Sequence, residues 1–424
     1  MQRWALVFFV QVTSSIPFAV ILLVGLSAGC GAGAASPPRP APKAAGTAQQ
    51  PVLANGHLLD DVRQVSAGTT HTCALRADAS VWCWGDNSLG QLGDGSRETS
   101  HVPVRVRALP PARCVSAGAR STCAATLEGE VYCWGANSVG QLGDGEVASG
   151  HPSPVRTLGL RHASVTAGSH VAERHCAITD EGELACWGRL TPLAEDGRPI
   201  IASRTPQTDR WVSDAVAVAI GGGHECVLTE GGAVWCRGLG AYGELGHAST
   251  QLEPRFAEVA RLERVASIAA GERHTCATGA DGRAWCWGHN DRGQLGTGGR
   301  SSFTAPVRVE LAAALRGVVA GHAHTCGLGE HGNVFCWGDN SHGQLGDGGE
   351  QTQAEPQVVR LRAQVHELAA GARHTCALLV GGEVQCWGDN LGGQLGDGTV
   401  GDRTWPVAVL RGEELGERTV LAAR

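Results

Sequence analysis

Fourteen of the sixteen cysteines in this 424-residue chain fall into pairs with nine residues between them: Cys73 and Cys83, Cys123 and Cys133, Cys176 and Cys186, Cys226 and Cys236, Cys276 and Cys286, Cys326 and Cys336, Cys376 and Cys386. Repeated cysteine pairs either bridge or bind metal. Thiolate metal sites use short spacings such as Cys-x2-Cys, and the sequence holds none. Bridging is the chemistry this spacing supports, provided the fold sets each pair face to face. A histidine stands two residues before the first cysteine in five of the seven pairs: His71, His224, His274, His324 and His374. Ser121 and Arg174 replace it in the other two, which would leave a ring of metal ligands incomplete. The histidine therefore reads as a repeated core hydrogen-bonding group, and no metal site is assigned.

The elements that must position the cysteines are hairpins. Nine intervening residues fit two antiparallel strands joined by a three-residue loop. In the second pair Ala124 then faces Tyr132, Ala125 faces Val131 and Thr126 faces Glu130, leaving Leu127-Glu128-Gly129 as the loop. Glycine supplies the left-handed last residue that such a loop needs, and six of seven copies carry it: Gly129, Gly182, Gly232, Gly282, Gly332 and Gly382. Ala79 stands there in the first copy, which predicts a turn of another type. Opposed residues of a hairpin lie about 4.5–5.5 Å apart at Cα, within reach of a disulfide. Each bridge would contribute roughly 2–3 kcal/mol by constraining the unfolded chain.

The pairs recur every 50 residues, with one step of 53. A fixed period of this size means copies of one supersecondary unit. Each copy runs through four short strand candidates, in the first Val62 to Ala67, Thr72 to Leu75, Val81 to Trp84 and Pro103 to Val106. No long 3.6-period apolar stripe interrupts them. Four strands in each of seven units predict an all-β, seven-bladed propeller over residues 58–424, with one hairpin disulfide per blade. Val420-Leu-Ala-Ala423 resembles the start of an eighth copy and competes with Val62 to Ala67 for a place in the last blade.

Disulfides require an oxidising compartment, and the N-terminus agrees. Residues 1–29 hold Arg3, a mainly apolar run from Trp4 to Val24, and Leu-Ser-Ala-Gly before Cys30. This resembles a bacterial lipoprotein signal, in which Cys30 is acylated and becomes the mature N-terminus. It departs from that pattern at Ser27, where leucine is usual, so a cleaved ordinary signal and an uncleaved anchor stay open. All three export the repeats. Residues 30–57, rich in Ala, Pro and Gly, read as a disordered tether with a reach of about 30 Å.

The string Ala-Gly-x-x-His-Thr-Cys-Ala-Leu, followed by Val-x-Cys-Trp-Gly-Asp-Asn-x-x-Gly-Gln-Leu-Gly-Asp-Gly, is best preserved at 67–95, 320–348 and 370–398. It resembles the repeat of the regulator of chromosome condensation family. That resemblance implies a seven-bladed propeller, in agreement with the strand count, while the cysteine pairs look like an exported variant. The Gly-x-x-Gly-Gln-Leu-Gly run, as in Gly90, Gln91, Leu92 and Gly93, reads as a tight turn with a buried leucine. The tryptophan after the second cysteine (Trp84, Trp134, Trp187, Trp287, Trp337, Trp387) faces the neighbouring blade, and Arg237 breaks that series.

No other motif carries catalysis or a cofactor. Gly238-Leu-Gly-Ala-Tyr-Gly243 matches a dinucleotide fingerprint but is one more copy of the repeated turn, without a βαβ unit around it. The loop from Asp86 lacks the sixth-position glycine and closing glutamate of a calcium loop. The chain reads as non-enzymatic. Function is better sought where a copy breaks the pattern. The third repeat has three extra residues in the span that holds His170, Glu173 and Arg174. Its segment Arg189 to Thr205, with Leu190, Glu195, Asp196, Arg198 and Ile200, replaces the Gly-Gln-Leu-Gly loop. In a four-strand meander both anomalies lie on one face, as a contact patch or as drift in a degenerate blade. Cys114 has no partner left and reads as a buried free thiol or an intermolecular bridge.

The formal net charge is −7, with Lys43 the single lysine and no concentrated basic stripe, which argues against nucleic acid. The leading reading is a monomeric, exported, membrane-tethered scaffold that recognises a protein or cell-envelope partner through one propeller face. The resemblance extends to a superfamily that includes the secreted β-lactamase inhibitor protein II, and so implies a runner-up, a protein inhibitor of an enzyme. Guanine nucleotide exchange, the family's best-known activity, fits poorly with export.

Overall fold

The computed structural model describes residues 58–160, 163–167, 172–189 and 202–412. Each repeat forms a four-stranded antiparallel sheet in simple chain order, and there are seven such sheets. In the first blade the strands are β1 (Val62–Ala67), β2 (His71–Arg76), β3 (Val81–Gly85) and β4 (Ser100–Arg105). The others span 112–156, 163–208, 215–258, 265–309, 315–359 and 365–408. First strands of neighbouring blades touch, the seventh with β1 included, so they line the axis and the fourth strands form the rim. The chain is the seven-bladed propeller that the repeat predicts.

Every rim strand is an unpaired edge, and every one carries proline: Pro103, Pro152 with Pro154, Pro206, Pro254, Pro306, Pro356 and Pro406. A residue without an N–H cannot template another strand, so the same position that ends each blade also blocks edge-to-edge pairing.

Cys73 and Cys83 are register partners across β2 and β3, as are the cysteines of the other six blades. All seven pairs are disulfides, with Cα separations of 4.0–4.1 Å. The Arg76 N–H donates to Ser80 O, so counting along the ladder puts the cysteines at a non-hydrogen-bonded pair. That is the closer of the two kinds of antiparallel pair, which places the separation at the short end of the expected range, and the bridged strands lie slightly closer still.

Two expectations need correction. The first turn is not of another type: Ala79 takes φ 64° and its N–H donates to Arg76 O, as Gly129 donates to Thr126 O. The hairpin register dictates the turn, and alanine accepts the strained conformation. Cys114 is not a free thiol. It is disulfide-bonded, with its partner outside the described residues, and no described cysteine is free.

Closure of the ring exchanges no strand among the described residues. β1 pairs within its own blade, and Val62 N–H reaches Gly382 O across the closing seam. Leu58 pairs with Leu410, and Leu59 N–H donates to Val409 O. Val420 to Ala423 lie outside the described residues.

Candidate binding face and the rebuilt third seam

Two repeated contacts join each blade to the next. In the first, the histidine that starts a second strand bonds the hydroxyl one residue further along in the following blade. His71 Nε2 meets Thr122 Oγ1 at 2.8 Å, His224 meets Thr275 at 2.8 Å, His274 meets Thr325 at 2.9 Å, His324 meets Thr375 at 3.0 Å, and His374 closes the ring on Thr72 at 2.9 Å. At the second seam the roles reverse, with Ser121 Oγ 2.8 Å from His175 Nε2. Burial holds the rings of His71, His224 and His324 down at about 4, and those of His175 and His274 at about 3, so all five are neutral at physiological pH. The repeated histidine is the core hydrogen-bonding group its spacing suggested.

In the second contact, each strand-three tryptophan donates its indole N–H to a carbonyl of the preceding blade's Gly-Gln-Leu-Gly loop. Trp134 donates to Gln91 O, Trp187 to Gln141 O, Trp287 to Glu244 O, Trp337 to Gln294 O, Trp387 to Gln344 O and Trp84 to Gln394 O, all at 2.9 Å. Gly93 must be glycine on two counts: its φ is +71°, and a Cβ there would lie 2.7 Å from Trp134 Nε1. The loop is organised by the asparagine after Trp-Gly-Asp, whose role the sequence reading missed. Asn87 is fully buried, accepts from Leu92 N–H at 2.9 Å and donates to Asp94 and to the carbonyls of Ser96 and Glu98. Its recurrence as Asn137, Asn290, Asn340 and Asn390 was the available signal.

Both contacts are absent at the seam between the third and fourth blades, and a buried ion network stands in their place. Arg174 occupies the histidine position and Glu225 the threonine position, paired at 2.8 Å with both side chains almost wholly buried. Arg237 occupies the tryptophan position, next to a blade that has no Gly-Gln-Leu-Gly loop. It binds Glu225 and Asp209, and its guanidinium lies 4.1 Å over the Phe256 ring. Burial pushes the Glu225 carboxyl up, but Arg174 and then Arg237 pull it back below its ordinary value, so it stays ionised. The departures at 174, 225, 237 and in the third-blade loop are therefore one rearrangement of one seam.

The first and third connections of all blades share one face. Of the patch suggested by the sequence, His170, Leu190, Glu195, Asp196, Arg198 and Ile200 lie outside the described residues. Glu173 and Arg189 are on this face, where Glu173 bridges Arg120 at 2.9 Å and Arg189 at 3.1 Å. Arg174 does not belong to a surface patch, because it is turned into the seam.

Across the fourth to seventh blades the face carries a different set. Tyr242, 38% exposed, packs against the His289 ring at 4.4 Å, and the Arg273 guanidinium lies 5.0 Å from its ring and donates to its hydroxyl at 3.2 Å. Glu272 holds His322 at 2.9 Å. His342 Nδ1 is 2.8 Å from Asp402, and Arg373 reaches its other nitrogen at 3.4 Å. Leu239 and Leu391 are 46% and 82% exposed. His342, Asp389 and Asp402 bring atoms able to ligate a cation within 4.8 Å of one another, with Arg373 placed against that use.

Two models of the regulator of chromosome condensation (RCC1) repeat match this chain. One matches at 62–91, 112–141, 265–294, 316–344 and 365–394, the other at 78–125, 128–172, 231–278, 281–328 and 331–378. The chain belongs to the RCC1 repeat family. This RCC1-repeat protein is 32% identical to the ultraviolet-B receptor UVR8 of Arabidopsis thaliana over 199 residues, 45% of this chain and 32% of the receptor. It is 40% identical to the mouse X-linked retinitis pigmentosa GTPase regulator over 194 residues, 44% of this chain and 19% of the regulator. It thus spans a minor part of these curated relatives. Human WBSCR16 superimposes with a TM-score of 0.69 at 23% identity, over 78% of this chain and 94% of that one. Yeast Prp20p gives 0.67 at 22% identity, over 83% and 87%. These two structures attest the fold.

Proposed function

We propose that this protein is an exported, non-catalytic scaffold that binds a protein or cell-envelope partner through the face built from its first and third connections. The observation that carries the reading is the cluster of Tyr242, Arg273 and His289, with exposed Leu239 in the same fourth-blade loop as Tyr242. Tyrosine and arginine concentrate at the energetic centres of protein interfaces, and here the tyrosine is already held by its neighbours, so little side-chain freedom is lost on binding. Yeast Prp20p, which shares the fold, is described by its binding to Gsp1p and histones, which supports a partner of protein chemistry. Export rests on seven buried disulfides and on the N-terminal segment, with Cys30 as the proposed lipid anchor. Cys30 is the one cysteine outside the described residues, so acylation there and a bridge to Cys114 draw on the same sulfur.

Among the described residues the third blade contributes Glu173 and Arg189 to this face. Photo-crosslinkers placed at Tyr242, at Arg189 and, as a control, at Val358 on the rim test the reading in the native envelope. A partner captured from Tyr242 and absent from Val358 supports it. Equal capture from both, or capture from Val358 alone, refutes it.

A further inference from the structure

The opposite face has its own feature at the mouth of the central channel. In six blades the innermost strand bulges between its first and third residues, leaving the second without a register partner: Arg63, Arg113, Val216, Ala266, Arg316 and His366. Four of these can donate to an acid, three arginines and His366, whose ring is held below its ordinary value by burial and then by the Arg316 charge and so donates as a neutral imidazole, and they occupy four consecutive blades, the sixth, seventh, first and second. They lie up to 303 residues apart in sequence, so only ring closure gathers them.

The seams within this crescent are tied across it. Arg316 Nη2 donates to the carbonyls of Val365 at 2.7 Å and His366 at 2.6 Å. Val65 N–H donates to Glu367 at 3.4 Å, and Val115 N–H donates to Gln64 Oε1 at 2.9 Å. The acids nearest Arg63 in sequence, Asp60 and Asp61, lie against Arg76 instead, at 3.5 and 3.9 Å. The carboxyl inside the ring, Glu367, is pushed by burial up to about 8 and is largely uncharged at neutral pH, so it does not offset its neighbours. Arg316 Nε is buried and has no hydrogen-bond acceptor among the described residues. A buried guanidinium N–H without an acceptor marks a place where one can be supplied from outside.

We infer that the channel mouth over the sixth, seventh, first and second blades binds an acidic peptide segment, with Arg63, Arg113, Arg316 and His366 receiving its carboxylates. A crescent four blades wide is too broad for one oxyanion. A bilayer is flat and cannot present several headgroups inside a ring of strands. An extended chain advances about 3.3 Å per residue, so successive acidic side chains can follow the crescent. The inference is independent of the face proposed above, because none of its residues is shared.

The test uses the full-length oxidised protein and a fluorescein-labelled hexaglutamate peptide, followed by anisotropy at low ionic strength. Saturable binding that weakens as salt is added is expected. The double variant R63S/R113S should weaken it at least tenfold. A second variant, R63S/H366S, should behave alike and guards against a folding defect in the first, while Y242A should bind as the parent does. The inference fails if hexaglutamate does not saturate, or if both double variants bind it as tightly as the parent. It also fails if phosphatidylglycerol vesicles or inorganic polyphosphate bind more tightly than the peptide through the same residues.

Discussion

Replacing Glu225 with threonine, the residue that five of the other blades carry at that position, should destabilise this protein although it restores the consensus. Among the described residues, Glu225 is the one carboxylate that contacts both Arg174 and Arg237. Its loss leaves Arg174, 3% exposed, without its carboxylate. Removing one partner of a buried pair costs about 3–5 kcal/mol. Arg174→His alone keeps Glu225 on Arg237 and should cost about 1–2 kcal/mol, the order of a lost charged hydrogen bond. The double variant rebuilds the histidine–hydroxyl contact found at five other seams, and should lie within about 2 kcal/mol of the parent, a coupling of at least about 2 kcal/mol. Guanidinium chloride unfolding of the oxidised proteins at constant pH gives the three differences. The reasoning is refuted if Glu225→Thr costs less than about 1 kcal/mol, or if the two single effects simply add to within about 0.5 kcal/mol.

Ala79→Gly should stabilise the first hairpin by about 0.5–1 kcal/mol, because glycine adopts the left-handed φ of 64° without a Cβ penalty, and Gly129→Ala should do the reverse; thermal melts compare the two. Grafting the first blade's loop in place of residues 189–205 should destabilise the protein on its own, since Arg237 offers no indole to the new loop, and adding Arg237→Trp should recover part of the loss in the same denaturant assay. Stability should also depend on pH in two opposed ways. The five buried rings have folded values below the ordinary 6.5, so the unfolded chain binds the extra protons and stability is lost as pH falls from about 6.5 towards 4, by up to roughly 3 kcal/mol for a ring held at 4. Glu367 has a raised value, so its neutral form favours folding and that contribution is lost as pH rises towards 8. A melting-temperature maximum near pH 6–7 is expected, and Glu367→Gln should flatten its alkaline side.

The propeller was legible because its evidence is local. Cysteine spacing, loop glycines and strand alternation all lie within one 50-residue copy, and the family resemblance adds the blade count. Contacts between copies were less so. Arg174 reads as part of a surface patch in linear sequence because its partner, Glu225, stands 51 residues away in the next repeat, where it replaces threonine. Arg237 was seen to break the tryptophan series, but only the missing third-blade loop across the seam explains why an arginine fits there. Ala79 misled for a different reason: the turn type follows from the register of two strands, and the residue has to comply with it. The basic crescent at the channel mouth is invisible in linear order, since its four members are scattered from 63 to 366 and an overall charge of −7 conceals them.

The central claim is that this is an exported propeller stapled once per blade, and the intact mass of the protein from its native membrane tests it most directly. Thiols are alkylated before any reduction. The account predicts a chain shortened by its N-terminal signal, with all fourteen paired cysteines protected; a lipid mass on Cys30 would confirm the anchor, and its absence with Cys114 also protected would assign that sulfur to a bridge. An unprocessed chain with the paired cysteines alkylated would contradict the account and return the protein to a reducing compartment.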